Sequence, residues 1–204
     1  MQPATALKLA PEVSPQPPPL NVADVAAAGA SSPTDALIER QRKTVAEHIR
    51  HEQAKDWPEV YGTFTPNEED AYYDVVPFHM RFPQMKGVVN FYETISQAFP
   101  DFQIIVHTEN DLPGLSLREV QIEATHSGDY CGLQATGRRV SIPLMALFLF
   151  DKTTGHLNAE RIYFDNHTIL TQIRGEMTPE GVFDLGRIER RNTPSSIGMS
   201  SAGS

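Results

Sequence analysis

Between residues 35 and 174 the spacing of apolar positions changes period once, from helical to strand-like. In TDALIERQRKTVAEHIRHEQAK, Leu37, Ile38, Val45 and Ile49 recur at helical spacing with charged residues between them, and Thr34 stands where an N-cap belongs. This predicts one amphipathic helix over 34–55. Residues 57–87 mix aromatics with Pro58, Pro66, Pro77 and Pro83, which is short-helix and loop material; GVVNFYETISQAF then predicts a second apolar-faced helix closed by Pro100. From there the period is two. Strands are expected at 101–108, 117–130, 140–150 and 156–164, separated by the turn clusters NDLPG and DKTTG, and a short helix at NHTILTQIRG. Helices first and an antiparallel meander afterwards make an α+β domain, not a βαβ one.

Composition sets the limits of that domain. The chain has 204 residues, of which 16 are proline, and the prolines crowd residues 1–34, where no repeating hydrogen-bond pattern can run for long. The expected organisation is a disordered Pro-rich tail over 1–34, one domain over 35–190 and a Ser/Gly-rich disordered tail over 191–204. A formal net charge of -9 with no Lys/Arg cluster removes the electrostatic attraction that nucleic acids and anionic membranes require. The longest apolar run, 140–150, is too short to span a bilayer. With neither a secretory nor an organellar leader pattern at the N-terminus, a cytoplasmic location is expected. Cys131 is the only cysteine, so no intramolecular disulfide and no cysteine-based zinc site can form. His48 and His51, with Glu47 and Glu52 beside them, are three apart on a helix face that reads as solvated and lack the HExxH arrangement, so no metal site is expected.

Strand alternation puts His126 on the apolar face that also carries Val120, Ile122 and Ala124. The last strand is ambiguous: Arg161, Tyr163 and Asp165 share one parity, Glu160, Ile162 and Phe164 the other, and hydrophobicity does not choose between them. With the odd face inward, an Arg, a Tyr and an Asp converge in the interior as a candidate site; with it outward, Asp165 simply caps the helix that follows.

Three segments in this order, AFPDF at 98–102, ATHSGDYCGLQATGRRV at 124–140 and ERIYFDNHTILTQI at 160–173, resemble the successive motifs of SnoaL-like polyketide cyclases of the NTF2-like superfamily. The resemblance implies a cone in which N-terminal helices pack on a strongly curved antiparallel sheet around an apolar pocket. It further implies a homodimer packed through the sheet and a small hydrophobic, polyketide-like substrate. The implied activity is a cofactor-independent intramolecular aldol-type cyclisation, or a related isomerisation or dehydration, in secondary metabolism. By the same resemblance Asp165 is the general acid/base and His126 assists it as a catalytic residue; Tyr163 and Arg161 face the substrate, and His79, Trp57 and Tyr61 are pocket-rim residues. Thr136, Gly137 and Arg138 match a structural turn, with Arg138 anchoring a loop or helix end. The alternative is a non-catalytic apolar-ligand-binding or accessory protein on the same cone.

Overall fold

A computed structural model describes residues 33–177; the expected tails, and residues 178–190 of the expected domain, lie outside them. The elements run α1 (Pro33–Ala54), α2 (Trp57–Gly62), β1 (Tyr72–Val75), a 3-10 turn (Val76–Phe78), β2 (Met80–Pro83), α3 (Gln84–Ala98), β3 (Gln103–Leu112), β4 (Leu115–Thr125), β5 (Arg139–Phe150), β6 (Leu157–Phe164) and α4 (Asn166–Arg174). Six strands form one sheet in the order β2-β1-β6-β5-β4-β3. The α+β architecture of helices on a curled sheet is therefore as expected. Two strands were not legible in the sequence, β1 and β2, which fall in the segment read as loops. Moreover, β1 joins β6 in parallel, with Asp74 opposite Arg161, so the sheet is antiparallel only in its other pairings. The strand expected over 117–130 ends at Thr125, where the His126–Arg138 segment leaves the sheet as a loop.

Side chains alternate along each strand, and here the alternation divides an inside from an outside. From β5, Val140, Ile142, Ala146 and Phe148 point into the cone and are at most 6% exposed. Burying a side chain such as Phe148 contributes roughly 1.5–3 kcal/mol. The helices close the cone from the other side. The deeply buried positions of α1 are Gln41, Val45, His48 and Glu52, spaced four, three and four apart on one face. Three of the four are polar, which is why the hydrophobic pattern missed this row: Leu37, Ile38 and Ile49, on which it relied, are only half-buried.

Polar groups of α1 also hold the sheet edge. β3 is an edge strand, and the Gln53 amide meets its unpaired backbone on both sides, donating to the Ile104 carbonyl at 2.6 Å and accepting from the Ile104 N–H at 3.0 Å. At the other end of the sheet Asp74 binds two guanidinium groups, accepting from Arg161 at 2.8 Å and from Arg81 at 2.8 Å. Asp74 is 3% and Arg161 8% exposed. Removing one member of such a buried pair leaves the other charge without compensation, at a cost of about 3–5 kcal/mol. Asp74→Asn is therefore expected to destabilise the fold by that amount in urea unfolding, and a loss under about 1 kcal/mol would show that the network is not what joins β1 to β6.

Candidate functional site

The cone encloses a cavity of about 310 Å³, at the lower end of the range for small-molecule sites. Its wall is apolar, built by Val120, Ile142, Ala146, Phe148, Ile162 and Phe164. Set into that wall are Glu52 from α1, Tyr73 from β1, Tyr92 from α3 and Glu160 from β6. Behind them, fully buried, lies His48.

His48, Glu52 and Glu160 converge on one atom. The Tyr92 hydroxyl lies 2.8 Å from Glu52 Oε1, 3.0 Å from Glu160 Oε2 and 3.0 Å from His48 Nε2. Nε2 is itself 3.3 Å from Glu160 Oε2 and 3.7 Å from Glu52 Oε1. On its other side His48 Nδ1 is 2.7 Å from Thr63 Oγ1, whose own proton goes to the Val60 carbonyl at 2.7 Å. Thr63 can then only accept from His48, so Nδ1 carries a proton and Nε2 is the position that varies. The ligand-type atoms of His48, Glu52 and Glu160 lie within 4.8 Å of one another, a spacing that suits a metal ion. The Tyr92 hydroxyl stands within hydrogen-bond distance of all three and ties them together. The expectation of a solvated face at His48 and Glu52 is thus corrected: α1 turns that face onto the cavity floor.

Burial dominates the electrostatics. It raises Glu52 to about 7, with the charge of Glu160 adding to the effect and the charges of His48 and Lys55 and the Tyr92 hydrogen bond working against it. His48 is raised by Glu52 and Glu160 in spite of burial, which works the other way. Tyr73 and Tyr92 are held protonated by burial and by the two carboxylates.

The residues expected to form the site are not brought together. Glu160, Ile162 and Phe164 face inward on β6, which resolves the ambiguity of that strand and turns the other parity out. Arg161 consequently pairs with Asp74 on the outer face, and Tyr163 is 39% exposed. Asp165 is the N-cap of α4, accepting from His167 N–H at 2.9 Å and from Thr168 Oγ1 at 2.7 Å. It is exposed and outside the cavity lining, although Phe164 beside it is a lining residue. His126 is fully buried past the end of β4; its Nδ1 meets Thr136 Oγ1 at 3.1 Å, its ring packs on Phe99, and Nε2 has no hydrogen-bond partner. His79 is exposed in a left-handed turn between the lining residues Phe78 and Met80. Trp57 and Tyr61 are half-buried and pack on the Tyr92 ring from outside the cavity. Arg138 does anchor a helix end, donating to the Ile173 carbonyl of α4 at 2.9 Å.

Two sequence signals point to the residues that were missed. His48 and Glu52 continue the row of Val45 at helical spacing, and Glu160 shares its parity with Ile162 and Phe164.

Residues 43–173 match the sequence profile of the SnoaL-like polyketide cyclases, and the chain belongs to that family. Solved structures share the fold at low identity. A SnoaL-like polyketide cyclase of Jannaschia sp. CCS1 is 17% identical, with a TM-score of 0.62 over 72% of this chain and 97% of its own. AclR of Streptomyces galilaeus, named as a hydroxylase, is 20% identical with a TM-score of 0.57 over 68% and 98%. IdmH of Streptomyces antibioticus, named as a polyketide cyclase, is 18% identical with a TM-score of 0.55 over 66% and 98%. No curated protein matches the chain by sequence. Among the described residues no helix is long and apolar enough to cross a membrane.

The cap at Asp165 carries a stability prediction. Its hydrogen bonds from Thr168 and His167 hold the carboxyl below the usual aspartate range. A group depressed in the folded state stabilises above its unfolded pKa and loses that effect as the pH falls through its folded one. Asp165→Ala is expected to cost about 1 kcal/mol at neutral pH, shrinking as the pH drops below about 4. Urea unfolding at the two pH values checks this, and an equal cost at both would contradict the capping role.

Proposed function

We propose that the protein is a cytoplasmic enzyme that holds a small hydrophobic, polyketide-derived intermediate in this cavity. There it closes a ring by a cofactor-independent, intramolecular aldol-type condensation. Isomerisation or dehydration would draw on the same proton transfer. One observation carries the reading: an apolar cavity large enough for a small molecule has two carboxylates in its wall beside neutral hydroxyl donors. A carbon flanked by carbonyls is already acidified, so the protein has only to fold the chain, remove one proton and stabilise the enolate oxygen. Membership of the SnoaL-like family supports the same substrate class.

The resemblance offers Asp165 as the general acid/base. Both its oxygens are engaged in the cap of α4, so acting as the base would require that cap to open. Metabolites of cells lacking the protein, compared by mass spectrometry with cells given each variant, separate the possibilities. Wild type is expected to restore a product isomeric with, or one water lighter than, an accumulating precursor. Ala146→Phe, which puts a ring into the cavity wall, is expected to abolish that product in a folded protein, and full activity of this variant would contradict a reaction in the cavity. Asp165→Asn is expected to restore the product, and its failure to do so while folded would return the base to Asp165.

The outer face of the sheet supports a homodimer. Met145 and Tyr163 are direct cross-strand neighbours there, 42% and 39% exposed, with Leu147 and Leu149 half-buried beside them. A second copy packed on this face covers them. Wild type is expected to sediment as a dimer and the Met145→Glu, Tyr163→Glu double variant as a monomer; a monomeric wild type would remove the proposal.

A further inference from the structure

We propose that Glu160 and Glu52, linked through the Tyr92 hydroxyl and backed by His48, form a proton-transfer centre on the cavity floor, with Glu160 as base and Glu52 as acid. The proposal rests on the reading that a carbonyl compound occupies the cavity, and it assigns the proton carrier within that reading.

The assignment follows from counting protons. The Tyr92 hydroxyl has one hydrogen and three neighbours at 2.8 to 3.0 Å, so it can donate to only one of them. At least one of the others must itself bring a hydrogen, or lone pairs face each other at hydrogen-bond distance. Thr63 fixes a proton on His48 Nδ1. A neutral His48 would then turn a bare Nε2 toward Glu160 Oε2 at 3.3 Å, a repulsive contact; an imidazolium turns it into a charge-assisted hydrogen bond. His48 therefore carries both protons and faces Glu160 more closely than Glu52. Two carboxylates and one imidazolium leave one negative charge too many for this depth, and a proton on Glu52 removes it. The pair thus holds one proton, carried by Glu52.

Among the described residues the titratable groups acting on the centre are His48 and Glu52 from α1, Lys55 just past its end, Tyr73 from β1, Tyr92 from α3 and Glu160 from β6. Lys55 works against the proton on Glu52 but spends its hydrogen bond on the Phe102 carbonyl at 2.6 Å. In the reaction, Glu160 takes a proton from the carbon between two carbonyls. The C–H electron pair moves into the enolate, whose oxygen is bound by Tyr92 and the Glu52 O–H. When the enolate carbon attacks a further carbonyl along the substrate chain, a carbon–carbon bond forms, the C=O π pair moves onto that oxygen, and the resulting alkoxide receives a proton from the pair. No net proton and no electron are exchanged. Glu52 and Glu160 are catalytic residues on this account, and His48 is a positioning residue.

Infrared titration of the full chain reads this proton directly. Wild type is expected to show a carboxylic-acid C=O band that disappears as the pH rises through about 7. Glu52→Gln should lack the transition, Asp165→Asn should keep it, and His48→Gln should move its midpoint upward, because the cation that lowers Glu52 is gone. A merely structural His48 would leave the midpoint in place. In the metabolite comparison, Glu160→Gln should form product at a rate ~10²–10⁴-fold lower. The proposal is overturned by a wild type with no carboxyl transition near neutrality, by a transition that survives Glu52→Gln, or by undiminished product formation from Glu160→Gln. If wild type itself restores no product, the cyclase reading fails, and the infrared midpoint still decides whether the floor holds the proton.

Discussion

The convergence of three side chains from two distant parts of the chain on the Tyr92 hydroxyl is the constraint around which the cone is organised. It joins α1 to α3 and both to the central β6 strand, so the helical layer and the sheet meet at a polar point inside an apolar shell. Buried polar groups are tolerated only when paired, and the pairs here join three elements: α1 supplies His48 and Glu52, α3 Tyr92 and β6 Glu160. That dependence fixes how far α1 can slide along the sheet more tightly than apolar packing would, since a shift of one residue would take both His48 and Glu52 off the cluster. The same helix uses Gln53 to satisfy the exposed edge of β3, so its polar residues anchor the floor and the rim alike.

The sheet separates two kinds of charge. On the inner face, Glu160 sits in the apolar cavity wall within hydrogen-bond distance of the Tyr92 hydroxyl. One residue on, Arg161 faces the opposite way and is neutralised by Asp74, which also holds Arg81. The inner cluster sets two carboxyl groups beside one imidazole, and the outer one sets Asp74 between Arg161 and Arg81. Asp165, beyond the end of the strand, belongs to neither cluster and does a helix cap's work.

Much of this was readable in the chain. The switch of apolar period after Pro100 gave the α+β class, and the THSG, TGRR and FDNHTILTQI segments gave the family, because motif order survives where identity has fallen to a fifth or less. The short strands β1 and β2 were not readable: four-residue strands flanked by Pro77 and Pro83 look like loops, and their pairing with β6 and with each other is made by the tertiary fold. The polar floor was hidden for a related reason. A helix row made of Gln41, Val45, His48 and Glu52 looks like a solvated face to any hydrophobicity argument, and only the arrival of Tyr92 and Glu160 from elsewhere makes its burial tolerable. The parity of β6 was undecidable because each of its faces carries one charged residue, Glu160 or Arg161, among apolar ones. Asp165 was prominent in the sequence since a capping aspartate and a catalytic one occupy the same kind of place, just before a helix.

The central claim is that the reacting oxygen of a bound carbonyl compound lies against the floor and not toward the α4 end of the cone. A crystal structure with β-naphthol, an apolar ring system bearing one weakly acidic hydroxyl, tests this most directly. The account predicts the ring against Ile142, Ala146 and Phe148, with its hydroxyl within hydrogen-bond distance of Tyr92 and the Glu52–Glu160 pair. A ring bound in the cavity with its hydroxyl turned away from that pair, or no ligand in the cavity at all, would contradict it.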